Sequence, residues 1–242
     1  EHKLFIVKAL QEQNKRVAIT GDGVNDVPAL EEATVGIAMG KHSSDMAKNA
    51  ADLIILDDNL EAIAEGVKEG RTIFTNIRKV INYLLTANLG EILLVFIGSF
   101  FGTMPFQPIQ LLWVNFAANY APAMALGLDP SPPDVMKRKP TGTHEHFITR
   151  RLMALSMYIS IKKVILLIIL FYGTLHFTGN LRLGQTVAFT WLVLWHFVRI
   201  MTMRLDEGHK LWTNPVMITS LLLPLVAQLF IIYTPASKYF QV

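Results

Sequence analysis

Two aspartates, an asparagine and two glycines fall within one short string near the start of this chain, TGDGVNDVPAL at residues 20–30. Asp22 and Asp26 follow a β-rich run, RVAIT at 16–20, that ends at Gly21. Carboxylates just beyond the C-terminal edge of a parallel strand are placed to hold a hard, oxygen-preferring cation such as Mg2+. Asn25 can hydrogen-bond a phosphoryl oxygen, and Gly21 and Gly23 permit a tight turn and close backbone approach. An Asp/Gly/Asn turn before a helix is also an ordinary structural device. GDG alone would carry no more than that, whereas the whole string is more specific. Lys3 taken singly reads as a solvated lysine, and Asp57 and Asp58 read as a capping turn before a helix near Leu60.

A second set of polar residues sits where polarity is expensive. Asn88 and Glu91 are three apart in one apolar stretch, and Asn115 and Asn119 are four apart in another, so each pair shares a helix face. A charge at the bilayer centre costs about 2.5–3.5 kcal/mol on insertion scales, and such groups usually face a partner or a cavity. Hydrogen bonding between helices accounts for the asparagines as well as ion ligation does. For Glu91 the ion-binding reading leads. His196 and Arg199 lie three apart in LVLWHFVRIMTMR. Arg199 reads either as snorkelling to a nearby interface or, with His196, as a countercharge near Glu91. Lys162 and Lys163 read as a snorkelling cytoplasmic pair with no transport role.

Two kinds of element must position these groups. Residues 2–13 have helical periodicity, 16–20, 34–38 and 52–56 are strand-like, and 26–33 and 43–50 are helical, the alternation of a parallel α/β sheet. From Leu60 a charged helical pattern continues without a breaker into an apolar run, as a stalk entering a bilayer would. The expected organisation is an α/β unit at 1–59, a stalk helix at 60–79 and an all-α polytopic transmembrane bundle at 80–242. Its spans are expected at about 80–102, 109–128, 152–177, 183–203 and 211–233. Basic residues gather at 129–151 and 204–210, which places those loops, with residues 1–79, on the cytoplasmic side.

The string TGDGVND-x-PAL, the HK at residues 2–3, IAMG at 37–40, ADLIILDDNL at 51–60, EGR at 69–71 and GLDPSPPDVMKRKP at 127–140 together resemble the P-type cation-transporting ATPases, whose phosphorylation domain is haloacid-dehalogenase-like. NLGE at 88–91 followed by PIQLLWVN at 108–115 is similar to the calcium-pump-like, type II subgroup. The resemblance implies a partial haloacid-dehalogenase-like Rossmannoid phosphorylation domain followed by transmembrane helices five to nine. It implies that Lys3, Asn25 and Asp26 serve phosphoryl chemistry, that Asp22 binds Mg2+, and that ATP is bound mainly by domains outside this chain. By the same carry-over, Asn88, Glu91 and Asn115 match ion-coordinating positions. Asn119 stands near where the family usually has an aspartate, and His196 at or near where calcium pumps place a glutamate.

The family's DKTGT nucleophile and TGE motif do not occur in the chain, so it reads as a C-terminal fragment, inactive alone, whose partner is the missing N-terminal half of the pump. The expected activity of the parent is ATP-driven transport of a cation, calcium or manganese first, with sodium, potassium or proton as the alternative. A membrane-anchored phosphatase and a non-catalytic membrane remnant are the competing classes. With 17% charged residues and 52% hydrophobic ones, the composition suits a membrane protein. The net charge of +3 gives no case for a nucleic-acid partner, and the absence of cysteine excludes disulfides and thiolate metal sites.

Overall fold

The computed structural model describes residues 2–57, 59–139, 147–210 and 213–242. The expected cap at Asp58, the end of the 127–140 match at Pro140, and Leu211 and Trp212 of the last expected span lie outside these residues. The chain divides into two compact units; among the described residues the first comprises 2–70 and 137–139 and the second 71–136 and 147–242, so that one boundary falls between Gly70 and Arg71, inside the expected stalk.

The first unit is α/β, as the alternation predicts. Helix α1 (His2–Glu12) precedes strand β1 (Ala18–Gly21), a 3-10 turn (Val24–Asp26), α2 (Val27–Glu32), β2 (Val35–Met39), α3 (Asp45–Ala50) and β3 (Leu53–Ile55). The strands form a parallel sheet in the order β1-β2-β3, with Ala18 opposite Val35 and Ile37 opposite Leu53. Val7, Ala29, Leu30, Ile37, Ala38, Ala47 and Ile55 make its core. Gly36 lets α2 approach the sheet, because a Cβ there would stand 2.6 Å from the Leu30 carbonyl oxygen. Ser44 caps α3 by accepting from Ala47 N at 3.2 Å.

Helix α4 (Glu61–Phe101) is continuous over 41 residues. Just before it, Asn59 Oδ1 accepts from Glu61 N at 2.9 Å. The second unit continues with α5 (Pro108–Trp113), α6 (Ala121–Gly127), α7 (Arg150–Thr178), α8 (Leu181–Asp206), α9 (Pro215–Tyr233) and a short α10 (Ser237–Phe240). Among the described residues, α4, α7, α8 and α9 are long and apolar enough to cross a membrane. Thr149, Asn180 and Asn214 cap α7, α8 and α9 with side-chain oxygens, and Gly179 ends α7 at φ +65°. Leu167, Phe171, Phe189 and Leu192 lie in the bundle's core, while Ile92, Phe96, Ile169, Leu223 and Phe230 face outward, the distribution that lipid permits and water does not.

The second expected span, 109–128, departs from a regular helix. Between α5 and α6 the backbone winds as a π-helix, Val114–Tyr120. Pro122 lies two residues beyond it and has no N–H to offer the Ala118 carbonyl four residues back. The Tyr83 hydroxyl donates to that carbonyl instead, at 3.1 Å.

Candidate functional site

In the first unit the chemistry gathers at the C-terminal end of β1. Asp26 is buried at the end of the 3-10 turn, and the Lys3 ammonium from α1 reaches its Oδ2 at 2.8 Å. The Asp22 backbone N–H donates to the same oxygen at 3.4 Å. Burial pushes the Asp26 carboxyl up, but the hydrogen bond and charge of Lys3, with the backbone N–H groups of Asp22 and Gly23, outweigh it and hold the carboxyl below its ordinary value. Asp22 and Asn25 are exposed, and Asn25 lines an open cleft with Lys3, Asp26 and Pro28. Ser43, unremarked in the sequence, ties the sheet edge together: its Oγ accepts from Met39 N at 2.8 Å and donates to Gly21 O at 3.4 Å.

An exposed Asp22 beside a buried, lysine-paired Asp26 suits Mg2+, which keeps several waters and takes one or two carboxylates plus phosphate oxygens. Among the described residues no cluster of three or more His, Asp or Glu side chains makes a closed metal cage.

In the second unit, Glu91 on α4 is 6% exposed and sits against the π-helix. Asn115 Nδ2 donates to Glu91 Oε2 at 2.7 Å, and Asn119 Nδ2 reaches Glu91 Oε1 at 3.4 Å and Asn115 Oδ1 at 2.9 Å. Tyr83, about two turns earlier on α4, donates to Asn119 Oδ1 at 3.3 Å and meets His196 Nδ1 at 3.1 Å. Five groups from α4, the π-helix and α8, namely Tyr83, Glu91, Asn115, Asn119 and His196, thus form one polar network. π-helical turns often mark functional sites because the widened turn redirects side chains and backbone carbonyls. The network offers one carboxylate and several amide and hydroxyl oxygens, a donor set for a hard cation.

Not every expected residue joins it. Asn88 is exposed on α4, away from the buried face that carries Glu91. Arg199 is half-buried, and its Nε has no hydrogen-bond partner among the described residues. The reading of Lys162 and Lys163 as a snorkelling pair is corrected: Lys163 is fully buried, and only Lys162 turns outward, with its ammonium 4.3 Å from the centre of the Tyr158 ring. The pair straddles the boundary between a packed and an outward face of α7, a distinction that adjacent lysines do not reveal in sequence.

A charged cluster that the sequence reading missed fixes the loop after α6. Asp129 is buried, and it accepts from Asn214 Nδ2 at 2.9 Å while Arg204 Nε lies 3.3 Å from Oδ1 and Lys79 Nζ 3.5 Å from Oδ2. Lys79 also pairs with Glu207, and Arg204 Nη2 donates to Thr213 Oγ1 at 2.8 Å. Asn76 Nδ2 donates to the Asp129 carbonyl at 2.8 Å, and the Arg71 guanidinium donates to Val135 O at 3.0 Å. The signal was an acid in the proline-rich loop 127–136 together with basic residues closing two spans.

A parallel α/β unit on one chain with four membrane-length helices among the described residues defines an integral membrane protein of the multi-pass kind. Residues 4–67 match the family described as haloacid dehalogenase-like hydrolase. Residues 103–242, more than half of the chain, match the family described as cation transporting ATPase, C-terminus, and the chain belongs to that family. It is 40% identical over 243 residues to a calcium-transporting ATPase of Bacillus subtilis, covering 97% of this chain and 27% of that protein. It is 37% identical over 255 residues to calcium-transporting ATPase 1 of Bacillus cereus, covering 97% of this chain and 29% of that protein. A calcium-transporting ATPase of Listeria monocytogenes is 47% identical over 146 residues, covering 60% of this chain and 16% of that protein. The chain therefore spans less than a third of the length of these relatives.

Proposed function

We propose that this chain is the C-terminal part of an ATP-driven, Mg2+-dependent pump that moves a cation, calcium first and manganese next, across a membrane. The observation that carries the reading is the occurrence on one chain of two different chemistries: the Lys3–Asp26 pair at the β1 edge and the buried Glu91–Asn115–Asn119 network. A plain membrane anchor has no use for a carboxylate buried among apolar helices. The relatives' printed names support calcium as the cargo.

In this reading Asp22 holds Mg2+, whose charge offsets that of a phosphoryl group bound in the cleft. Asp26 fixes the Lys3 ammonium so that it faces the phosphoryl oxygens without a search for its rotamer, and Asn25 hydrogen-bonds one of those oxygens. Glu91, Asn115 and Asn119 ligate the cargo, with Tyr83 and His196 holding Asn119 in place. Helix α4 begins at Glu61 and carries Glu91, so it is the covalent link between the two chemistries. Residues 1–79 and the loop 129–151 face the cytoplasm.

The test is ATP-driven uptake of calcium into vesicles that contain the full-length protein, wild type and Asp22→Asn. Wild-type uptake that is lost in Asp22→Asn is expected. The absence of ATP-driven uptake of calcium, manganese, sodium or potassium by the wild type would refute the proposal.

A further inference from the structure

Lys163 is fully buried near the middle of α7, and its ammonium has no hydrogen-bond partner among the described residues. Burying a charge in this way is costly unless an opposite charge compensates it. Three successive turns of α7 are registered on α4. Ser156 Oγ donates to Asn82 Oδ1 at 3.2 Å, Ser160 Oγ donates to Thr86 O at 2.8 Å, and Lys163 comes next, against Gly90. A Cβ at Gly90 would stand 3.1 Å from Lys163 Cδ and 3.5 Å from its Nζ. Glycine at this position therefore makes room for the lysine. The adjacent residue is Glu91, the one carboxylate of the polar network, and it acts electrostatically on Lys163.

We propose that the Lys163 ammonium is a built-in cation of the transport site. It compensates Glu91 when no transported ion is present, and it supplies the charge that a second bound metal ion would bring. The site therefore carries one transported cation at a time, and that cation binds against a fixed positive charge. This inference rests on the pump reading of Glu91. Positioning the charge on α7 also explains the glycine at 90 and the small hydroxyl residues at 156 and 160, which together bring the two helices close enough for the lysine to be shared.

Two measurements on the full-length protein test it. The first counts calcium bound per phosphorylated enzyme and compares the apparent calcium affinity of wild type with Lys163→Met, Lys163→Gln and Lys163→Arg. One calcium per phosphoenzyme is expected in the wild type. Both neutral variants should bind calcium about tenfold or more tightly, because a unit charge beside a divalent ion acts on at least that scale at the effective dielectric of a protein interior. The arginine variant, which keeps the charge, should stay near wild type. Two calcium ions per phosphoenzyme, or unchanged or weaker affinity in both neutral variants, would overturn the proposal. The second measurement is a double-mutant cycle of thermal stability in detergent with Glu91→Gln and Lys163→Met. Glu91→Gln should lower Tm more when Lys163 is present than when methionine replaces it, and additive effects would overturn the pairing. A wild type that forms no cation-dependent phosphoenzyme sinks the pump reading, yet the stability cycle still decides whether Lys163 compensates Glu91.

Discussion

Neutralising Asp129 by Asp129→Asn should loosen the second unit more than any exposed substitution. The carboxylate has no exposed surface and faces two cations, Lys79 and Arg204, with Asn214 completing its hydrogen bonds. Asparagine preserves shape and can still accept from Asn214, so the substitution isolates the charge. Removing one member of a buried charge pair costs about 3–5 kcal/mol, chiefly because the partner stays buried. Lys79 retains Glu207 and Arg204 retains Thr213, so the lower end applies, about 3 kcal/mol. For a unit of this size that corresponds to a fall in Tm of about 6–12 °C. Thermal unfolding of the detergent-solubilised protein, followed by tryptophan fluorescence, reads it directly. A shift below about 2 °C would show that the cluster is offset by its own desolvation and does not hold the loop.

Three further outcomes follow from individual contacts. Burial, and after it the Lys79 ammonium, hold the His209 imidazole below its ordinary value despite Asp129 and Glu207. The unfolded chain then takes up the proton first, so stability present above about pH 6.5 falls as the pH drops below it; His209→Gln should flatten that fall, and an unchanged pH slope would contradict it. Tyr83→Phe removes the donor to Ala118 O and Asn119 Oδ1, next to a proline that cannot replace it. Tm should fall by the equivalent of about 1–3 kcal/mol, whereas unaltered unfolding would mean that water satisfies those oxygens. Gly36→Ala places a methyl group 2.6 Å from the Leu30 carbonyl oxygen. It should cost about 1–3 kcal/mol of stability in the α/β unit, seen as increased proteolysis near β2, and equal resistance to protease would refute the close packing of α2 on the sheet.

The α/β alternation was legible because short strand-like runs alternate with helical ones; the structure places β3 within its run, while β1 and β2 each reach one residue past theirs, to Gly21 and Met39. The polar network was legible in part. Glu91, Asn115 and Asn119 stood out because polar residues in apolar runs are conspicuous, and His196 because the family resemblance places it near a calcium-pump glutamate. Asn88 lies exposed while Glu91 is buried, because a spacing of three puts two side chains on one side of a helix without fixing which of them faces the core. The π-helix was hidden: hydropathy reads 109–128 as one span, and only Pro122 hints that the backbone pattern is broken there. Lys163 and the Asp129 cluster escaped for a common reason. Whether a charged side chain snorkels or is buried depends on which helices pack against it, and a single sequence does not carry that pairing.

The most direct measurement is phosphorylation of the full-length protein by radiolabelled ATP in the presence of Mg2+, with and without calcium, for wild type and Glu91→Gln. A hydroxylamine-sensitive phosphoenzyme that rises with calcium in the wild type, and loses that calcium dependence in Glu91→Gln, is the expected result. A wild type that takes no phosphate from ATP, or a Glu91→Gln protein whose calcium dependence matches the wild type, would contradict a pump whose cargo binds at Glu91.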